Sequence, residues 1–214
     1  MKAVLIGATG AVGKDLLQAL LEDARYTEVV AFARRALGVQ HEKLREHTID
    51  FDATATWQEL VKGDVLFSTL GTSLKQAGSK EAQRHIDYDY QLAFAKAARA
   101  NGVKSLVLLS SIGGADSKSS IFYLRLKGEL DDAVRDLGFD SLTIVRPPSL
   151  IRAKSKRFGE TASVKLLQAV NAIGLAKRLA PMETVVVARS MAALGADSAS
   201  GTRIIEGQDV RDFA

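Results

Sequence analysis

The chain has 214 residues, of which 47% are hydrophobic and 25% charged, and its formal net charge is +4. This composition is typical of a soluble globular protein with one sizeable core and little room for a second domain. Cysteine is absent and the three histidines are scattered, which excludes disulfides and gives no metal-ligand spacing. We expect a cytoplasmic protein without a signal peptide or membrane span, since no apolar run approaches the roughly 20 residues that cross a bilayer.

Strands and helices are predicted to alternate along the chain, because short aliphatic runs are followed by segments with helical apolar spacing. The predicted strands are Lys2–Ile6, Glu28–Ala33, His47–Asp50, Asp64–Ser68, Lys104–Ser110, Ser141–Arg146 and Thr202–Glu206. The predicted helices are Val12–Leu21, Thr56–Lys62, Lys80–Asn101, Ile121–Leu137, Ser163–Leu179 and Glu183–Asp197. This order indicates a Rossmann-like α/β fold, a doubly wound, mostly parallel sheet with helices on both faces. We expect a single domain, with a cofactor-binding core over 1–148 and with substrate-side helices and the last strand over 149–214.

A glycine-rich loop, Gly7-Ala-Thr-Gly10-Ala-Val-Gly13, lies between the first strand and the first helix. The first glycine permits a tight turn, the second lets backbone approach a pyrophosphate, and the third allows close packing of helix on strand. The backbone amides of Thr9, Ala11 and Val12 stand at a helix N-terminus, where they would present donors and partial positive charge to phosphates. Because a strand precedes the loop and a helix follows it, a dinucleotide site is favoured over a plain turn.

The end of the second strand indicates which dinucleotide is bound. NAD sites usually place a carboxylate there for the ribose 2′-hydroxyl, whereas NADP sites place arginine near the 2′-phosphate. Arg34 and Arg35 follow Ala33, and a guanidinium can bind a phosphate in bidentate fashion. The sequence therefore predicts NADP(H), with a solvated arginine pair as the alternative. Asp50 and Phe51, after the third strand, are expected to contact the adenine.

A proton donor is predicted on the helix that follows the fifth strand. Tyr123 and Lys127 are spaced i and i+4, so they share one face of that helix, and the ammonium can stabilise a tyrosinate. Ser110 and Ser111 stand at the carboxyl end of the preceding strand, where open α/β sheets bind ligands. Either hydroxyl could orient a substrate oxygen. A chance Tyr-x-x-x-Lys is the alternative.

These motifs resemble the atypical short-chain dehydrogenases, and within them the Tat-interacting-protein-like group. The resemblance covers the chain to about residue 150 and is carried by the glycine spacing, by Thr69-Leu70-Gly71-Thr72, and by Leu108–Asp116, Ser119-Ser120, Tyr123–Glu129 and Val145–Pro147. It implies a catalytic set of Ser110 or Ser111, Tyr123 and Lys127. It also implies that Thr69, Leu70, Gly71 and Thr72 bind the cofactor, that Lys127 reaches the nicotinamide ribose, and that Pro147 lies beside the ring. Classical members of the superfamily place an asparagine on the helix after the fourth strand, whereas the first asparagine of this helix here is Asn101, at its far end.

Two functional hypotheses follow. The first is an NADP(H)-dependent oxidoreductase that acts on a small carbonyl or alcohol, with Tyr123 as general acid and base. The second is a non-catalytic NADP(H)-binding redox sensor that acts through a regulatory protein partner, as the human relatives suggest. Nucleic acid is not expected as a partner, although the segment 151–178 is basic. Substrate-contacting residues are expected at Leu150, Phe158, Val164 and Leu167, in a monomer or homodimer.

Overall fold

Nine parallel-paired strands lie in the described part of the chain, which comprises residues 1–112, 116–151, 180–197 and 199–214 of this computed structural model. They are β1 (Lys2–Ile6), β2 (Glu28–Ala33), β3 (Leu44–Thr48), β4 (Val65–Ser68), β5 (Ser105–Leu109), β6 (Ser141–Arg146), β7 (Leu150–Ile151), β8 (Met182–Glu183) and β9 (Gly201–Glu206). Seven of them form one sheet in the order β3-β2-β1-β4-β5-β6-β9, and β7 pairs with β8 separately. The order reverses between β1 and β4, which opens a crevice at their carboxyl ends.

Helices cover both faces of the sheet. They are α1 (Ala11–Glu22), α2 (Thr54–Trp57), α3 (Leu74–Ala77), α4 (Lys80–Arg84), α5 (Tyr90–Ala100), α6 (Phe122–Arg135) and α7 (Thr184–Gly195). A π-helical turn over His85–Asp89 joins α4 to α5, and 3₁₀ helices cover Gln58–Leu60 and Gly207–Phe213. Helices α1 and α7 pack against each other on one face, whereas α5 and α6 lie on the other. Within the described ranges, no helix has the length and apolar character needed to span a bilayer.

The core has two layers because the central strands are apolar on both sides. Leu5 and Phe67 face the layer that holds α1 and α7, whereas Val4 and Leu66 face the layer that holds α5 and α6. In the second layer the rings of Trp57 and Phe94 stack with their centroids 4.0 Å apart. The doubly wound Rossmann-like fold predicted from the sequence is confirmed, and its seven main strands are all parallel.

Several elements differ from the sequence prediction. The third strand lies at Leu44–Thr48, earlier than the predicted His47–Asp50, because its polar edge sequence gives no alternation to fix its bounds. The predicted helix Lys80–Asn101 is interrupted by the π-helical turn. After residue 148, β9 extends the main sheet and α7 packs into the core, and the division of the chain at this residue stays a prediction. The predicted helix Ser163–Leu179 lies outside the described residues.

Candidate active site

A cleft of about 690 Å³ opens at the carboxyl ends of the strands, at the point where the strand order reverses. Open α/β sheets bind their ligands in this position. It brings together most of the site residues predicted from the sequence. They are Gly7, Thr9, Gly10, Ala11, Val12, Arg34, Arg35, Thr69, Leu70, Gly71, Thr72, Ser110, Tyr123 and Lys127. Leu150, expected on the substrate side, also lines it, while Phe158, Val164, Leu167 and the basic segment 152–178 lie outside the described residues.

The glycine loop forms the floor of the cleft. Gly7 has a φ of +88°, and a Cβ on it would lie 2.5 Å from the Thr69 carbonyl carbon. A Cβ on Gly13 would overlap the carbonyl oxygen of Gly7, so the start of α1 can approach β1 only because both residues lack a side chain. The turn is closed by a 2.8 Å hydrogen bond from the Gly10 amide to the Gly7 carbonyl. Gly13 therefore packs behind the cleft and does not line it.

The N-terminus of α1 fits the pyrophosphate of a dinucleotide. Gly10 is the N-cap residue, and no side chain caps this end of the helix. The Ala11 and Val12 amides make no hydrogen bond with described residues and stand on the cleft wall. Free amides and the helix dipole favour a bound anion at this position. This donor set, next to the close approach that the glycines allow, is the arrangement that a nicotinamide dinucleotide requires.

Arg34 and Arg35 lie at one end of the same cleft, directly after β2. Both are exposed, and neither forms an ion pair or hydrogen bond with the described residues. The charged groups on the described cleft wall are these two arginines, Lys127 and Asp87, so the cations outnumber the carboxylate. The cleft is therefore electrostatically suited to a polyanionic ligand.

The structure does not bring Asp50 and Phe51 to the cleft. Phe51 is buried in the core, where its ring centroid lies 5.1 Å from that of Tyr90 and 5.4 Å from that of Phe94. Asp50 is exposed, and its carboxylate accepts a hydrogen bond from the amide of Asp52. The Phe51 ring therefore belongs to the core, and a contact of Asp50 and Phe51 with the adenine stays a prediction.

Tyr123 and Lys127 line the cleft from α6, as their spacing predicts. The Tyr123 side chain is 38% exposed, whereas Lys127 is only 4% exposed. No hydrogen bond or ion pair joins either side chain to a described residue, so the phenol and the ammonium are both available to a ligand.

Ser110 belongs to a buried polar network behind the cleft. Its hydroxyl donates to Asp131 over 3.1 Å, and the same carboxylate oxygen accepts two hydrogen bonds from the Arg146 guanidinium at 2.9 and 3.1 Å. Arg146 also lies 3.5 Å from Glu206 on β9. Burial raises the pKa of Asp131, although the hydrogen bonds from Arg146 oppose that rise.

Two other predicted residues lie beside the cleft and do not line it. Ser111 is half-buried, one residue beyond Ser110. Pro147 is buried, and its carbonyl accepts a hydrogen bond from the Ile112 amide. Of the two serines that the sequence left open, only Ser110 is on the cleft wall.

Asp87 is a cleft residue that the sequence analysis did not single out. It lies in the π-helical turn, is fully buried, and accepts a 2.7 Å hydrogen bond from the Thr72 amide through Oδ1. Burial raises its pKa, while Lys127 and the Thr72 amide oppose that rise. The signal for it was present, since the residue stands on the helix where other members of the superfamily place asparagine. Ser73, Gln76, Ala77, Ile86 and Leu109 complete the newly found lining.

Comparison with known proteins identifies the family. A family model described as NAD(P)H-binding matches residues 7–168. The chain belongs to this NAD(P)H-binding family. "Protein FMP52, mitochondrial" of Meyerozyma guilliermondii is 38% identical over 176 residues, which cover 79% of this chain and 75% of the relative. "Protein HTATIP2" of Rattus norvegicus is 37% identical over 151 residues, covering 69% and 62% respectively.

Comparison with solved structures agrees with this family assignment. The oxidoreductase ylbE of Lactococcus lactis superposes with a TM-score of 0.60 at 24% identity and covers 73% of each chain. The resemblance of this NAD(P)H-binding chain to the Tat-interacting-protein-like group of atypical short-chain dehydrogenases is thereby confirmed. A nicotinamide cofactor is the ligand of the family, and the cleft residues fit one.

The expected cytoplasmic location is contradicted. Relatives of this NAD(P)H-binding chain in several fungi carry the name "Protein FMP52, mitochondrial". The expectation failed because it rested on the absence of cysteine and of a signal peptide. A chain without cysteine needs no particular redox environment, so that absence does not distinguish one compartment from another.

Proposed function

We propose that the chain is an NADP(H)-dependent oxidoreductase that interconverts a small carbonyl compound and its alcohol. One observation carries the proposal: Tyr123 and Lys127 line the same cleft as the glycine loop and the two arginines, and both lack a partner among the described residues. A cofactor bound across the loop, with its 2′-phosphate at Arg34 and Arg35, would extend along this cleft toward Tyr123. A protein that only binds the dinucleotide has no need of a free phenol at that end.

Reduction of a carbonyl adds a hydride to carbon and a proton to oxygen. The bound nicotinamide supplies the hydride, and the chain must supply the proton. Tyr123 donates its phenolic proton to the substrate oxygen, and the Lys127 ammonium stabilises the tyrosinate that remains until solvent reprotonates it. In the oxidative direction the tyrosinate accepts the proton of the alcohol.

Ser110 adds a constraint on the substrate oxygen. Because its proton is donated to Asp131, its lone pairs remain free to accept a hydrogen bond from a substrate alcohol. A carbonyl oxygen is itself an acceptor, so Ser110 could orient it only after its hydroxyl turned away from Asp131. We therefore assign proton donation to the carbonyl to Tyr123 alone.

The cofactor is tested by titration with NADPH and with NADH. NADPH should bind more tightly, and Arg34→Ala and Arg35→Ala should each weaken NADPH binding about tenfold or more, because each removes a charge-assisted contact to phosphate. NADH binding should change little. Arg189→Ala removes an exposed arginine on α7 and serves as the matched control. Equal affinity of the unmodified protein for both cofactors would refute NADP(H) preference.

Turnover is tested by a screen of small carbonyl compounds that follows NADPH oxidation. Tyr123→Phe should lower kcat about a hundredfold or more, because it removes the general acid. Tyr88→Phe removes a phenol that lies outside the cleft and is the control. Ser110→Ala and Ser111→Ala, compared on the same substrate, decide which hydroxyl contributes. Tight NADPH binding without turnover of any substrate would favour the redox sensor instead.

A further inference from the structure

The direction of the Ser110 hydrogen bond is set by a buried carboxylate behind the cleft. Ser110 lines the cleft directly after β5 and is only 6% exposed. Its backbone amide donates a 2.8 Å hydrogen bond to the Val145 carbonyl on β6, and its hydroxyl oxygen lies 3.1 Å from Oδ2 of Asp131. A serine hydroxyl has one proton and two lone pairs, so its partner at Oδ2 decides which of them is left for a ligand.

Oδ2 of Asp131 is an acceptor and not a donor. The same oxygen accepts two hydrogen bonds from the Arg146 guanidinium, at 2.9 and 3.1 Å. A guanidinium only donates, so Oδ2 carries no proton. Protonation of this carboxyl group would not change the arrangement, because the proton would stand on Oδ1, which is buried with no partner in the described structure. The Ser110 hydroxyl therefore donates to Asp131 in either protonation state of the carboxyl group.

The Asp131 carboxylate is held in place from two sides. Its side chain is 1% exposed, and the Arg146 guanidinium that binds it also lies 3.5 Å from Glu206 on β9. Rotation of the Ser110 hydroxyl toward a ligand would take a hydrogen-bond donor away from a buried carboxylate, which is costly. Toward the cleft, the favoured role of Ser110 is that of an acceptor.

A ligand that satisfies this acceptor must bring a proton donor of its own. The oxygen of a plain ketone or aldehyde only accepts, and in the proposed reaction it already accepts the proton of Tyr123. A hydroxyl group on the neighbouring carbon can donate to Ser110, and it keeps its own proton throughout the reaction. Hydride adds to the carbonyl carbon and the Tyr123 proton to the carbonyl oxygen, so the product of such a substrate is a vicinal diol.

We propose that the substrate is an α-hydroxy ketone or α-hydroxy aldehyde whose hydroxyl group donates a hydrogen bond to Ser110, and that Asp131 is the positioning residue that imposes this choice. The proposal deepens the proposed function and rests on it, since it names the substrate class of the same site. Asp131 acts only through Ser110, because it lies behind the cleft and does not line it.

The substrate class is tested with pairs of compounds that differ by one hydroxyl group. The pairs are acetone with hydroxyacetone, acetophenone with 2-hydroxyacetophenone, and cyclohexanone with 2-hydroxycyclohexanone. With NADPH, the protein should reduce the hydroxy compound with a kcat/KM about tenfold higher or more, because the plain compound leaves a buried acceptor unpaired. The readout is the ratio within a pair, since damage to the fold lowers both values. Equal values within the pairs, or reduction of the plain compounds alone, overturn the proposal.

The role of Asp131 is tested by removing it together with its cation, so that no buried charge is left alone. Asp131→Leu combined with Arg146→Met replaces the pair by apolar side chains and frees the Ser110 hydroxyl to donate to a carbonyl. The ratio should then fall about tenfold, and Ser110→Ala should lower it as well. Asp132→Leu combined with Arg135→Met removes an exposed ion pair of the same helix and should keep the ratio. An unaltered ratio in the buried double variant or in Ser110→Ala overturns the positioning role.

Binding without turnover separates the hydroxyl selection from the proposed function. In Tyr123→Phe loaded with NADPH, calorimetry gives the Kd of both members of each pair, and the hydroxy compound should bind about tenfold more tightly. If this holds but the unmodified protein reduces none of the compounds, the proposed function fails and the hydroxyl selection stands. If the unmodified protein reduces ketones without preference, the proposed function stands and the hydroxyl selection fails. Equal binding, or no binding of any hydroxy compound, also overturns the hydroxyl selection.

Discussion

The Arg146 guanidinium donates two hydrogen bonds to a single oxygen of the Asp131 carboxylate, which also accepts the Ser110 hydroxyl. The Asp131 side chain is 1% exposed and that of Arg146 is 14% exposed, so the pair is shielded from water. The other carboxylate oxygen of Asp131 is buried with no partner in the described structure. Arg146 is therefore the main compensation for a charge that lies directly behind the cleft.

Arg146→Met should lower the free energy of unfolding by about 3 kcal/mol at pH 7, because it leaves a buried carboxylate without its cation. Burial already raises the pKa of Asp131 above its usual value. A raised pKa stabilises the folded state below about pH 4, and this contribution is lost as the pH rises and the group ionises. The difference in free energy of unfolding between the variant and the unmodified protein, measured by urea denaturation, should therefore become smaller toward acid pH.

Arg135→Met is the control for that measurement. Arg135 forms an ion pair with Asp132 at 2.7 Å on the exposed side of α6, the helix that also carries Asp131. Such surface pairs contribute at most about 1 kcal/mol to the free energy of unfolding. An equal loss of stability in the two variants would contradict the account of the buried pair.

His85 should make stability depend on pH. Hydrogen bonds to Asp89 and Asp52 raise the pKa of His85 above 6.5. The resulting stabilisation is fully present below the unfolded pKa and is lost as the pH rises through the folded one. The urea midpoint is measured from pH 5.5 to pH 8.5, an interval that spans about one unit or more on each side of the histidine pKa. Over this interval the midpoint should fall more steeply with rising pH for the unmodified protein than for His85→Gln. His41→Gln, an exposed histidine elsewhere, should keep the steeper dependence.

Gly13, behind the cleft, and Gly71, on its wall, should respond differently to alanine. Gly13→Ala should destabilise the fold by about 1–3 kcal/mol, because its methyl group would overlap the Gly7 carbonyl oxygen. Gly71→Ala should leave the Tm nearly unchanged, since a Cβ there meets nothing within 4 Å. Thermal unfolding followed by circular dichroism compares the two. A similar loss in both variants would show that the close approach at Gly13 is not the cause.

NADPH binding should be more sensitive to salt than NADH binding. In the proposed binding mode the 2′-phosphate would add charge opposite Arg34 and Arg35, which are exposed and therefore screened by added ions. Titration in low and high sodium chloride should show a steeper loss of affinity for NADPH. In the double variant with both arginines replaced by alanine, the two cofactors should show the same salt dependence. Persistence of the difference would place the phosphate contact elsewhere.

The parts of the site that follow strand ends could be predicted from the sequence. Gly7, Arg34, Thr69 and Ser110 each come directly after a buried strand, and parallel strands deliver such residues to one edge of the sheet. Tyr123 and Lys127 could be paired because helical geometry alone fixes i and i+4 on one face.

The positions of the Asp87 and Phe51 side chains could not be predicted from the sequence. The apolar spacing over residues 80–101 indicates a helix, but it does not reveal the one-residue change of phase that turns Asp87 into the cleft. Phe51 follows a strand as the other site residues do, yet its ring packs in the core against the rings of Tyr90 and Phe94. Both outcomes depend on contacts between segments that are distant in sequence, which local patterns do not contain.

The packing of α1 against α7 has a consequence for synthesis. α1 is made before α7, yet part of its apolar face packs against this later helix, which begins at Thr184. A nascent chain with its first six strands complete would still lack the contacts that α7 makes with α1. We expect the native packing of α1 to be completed only after α7 has been synthesised.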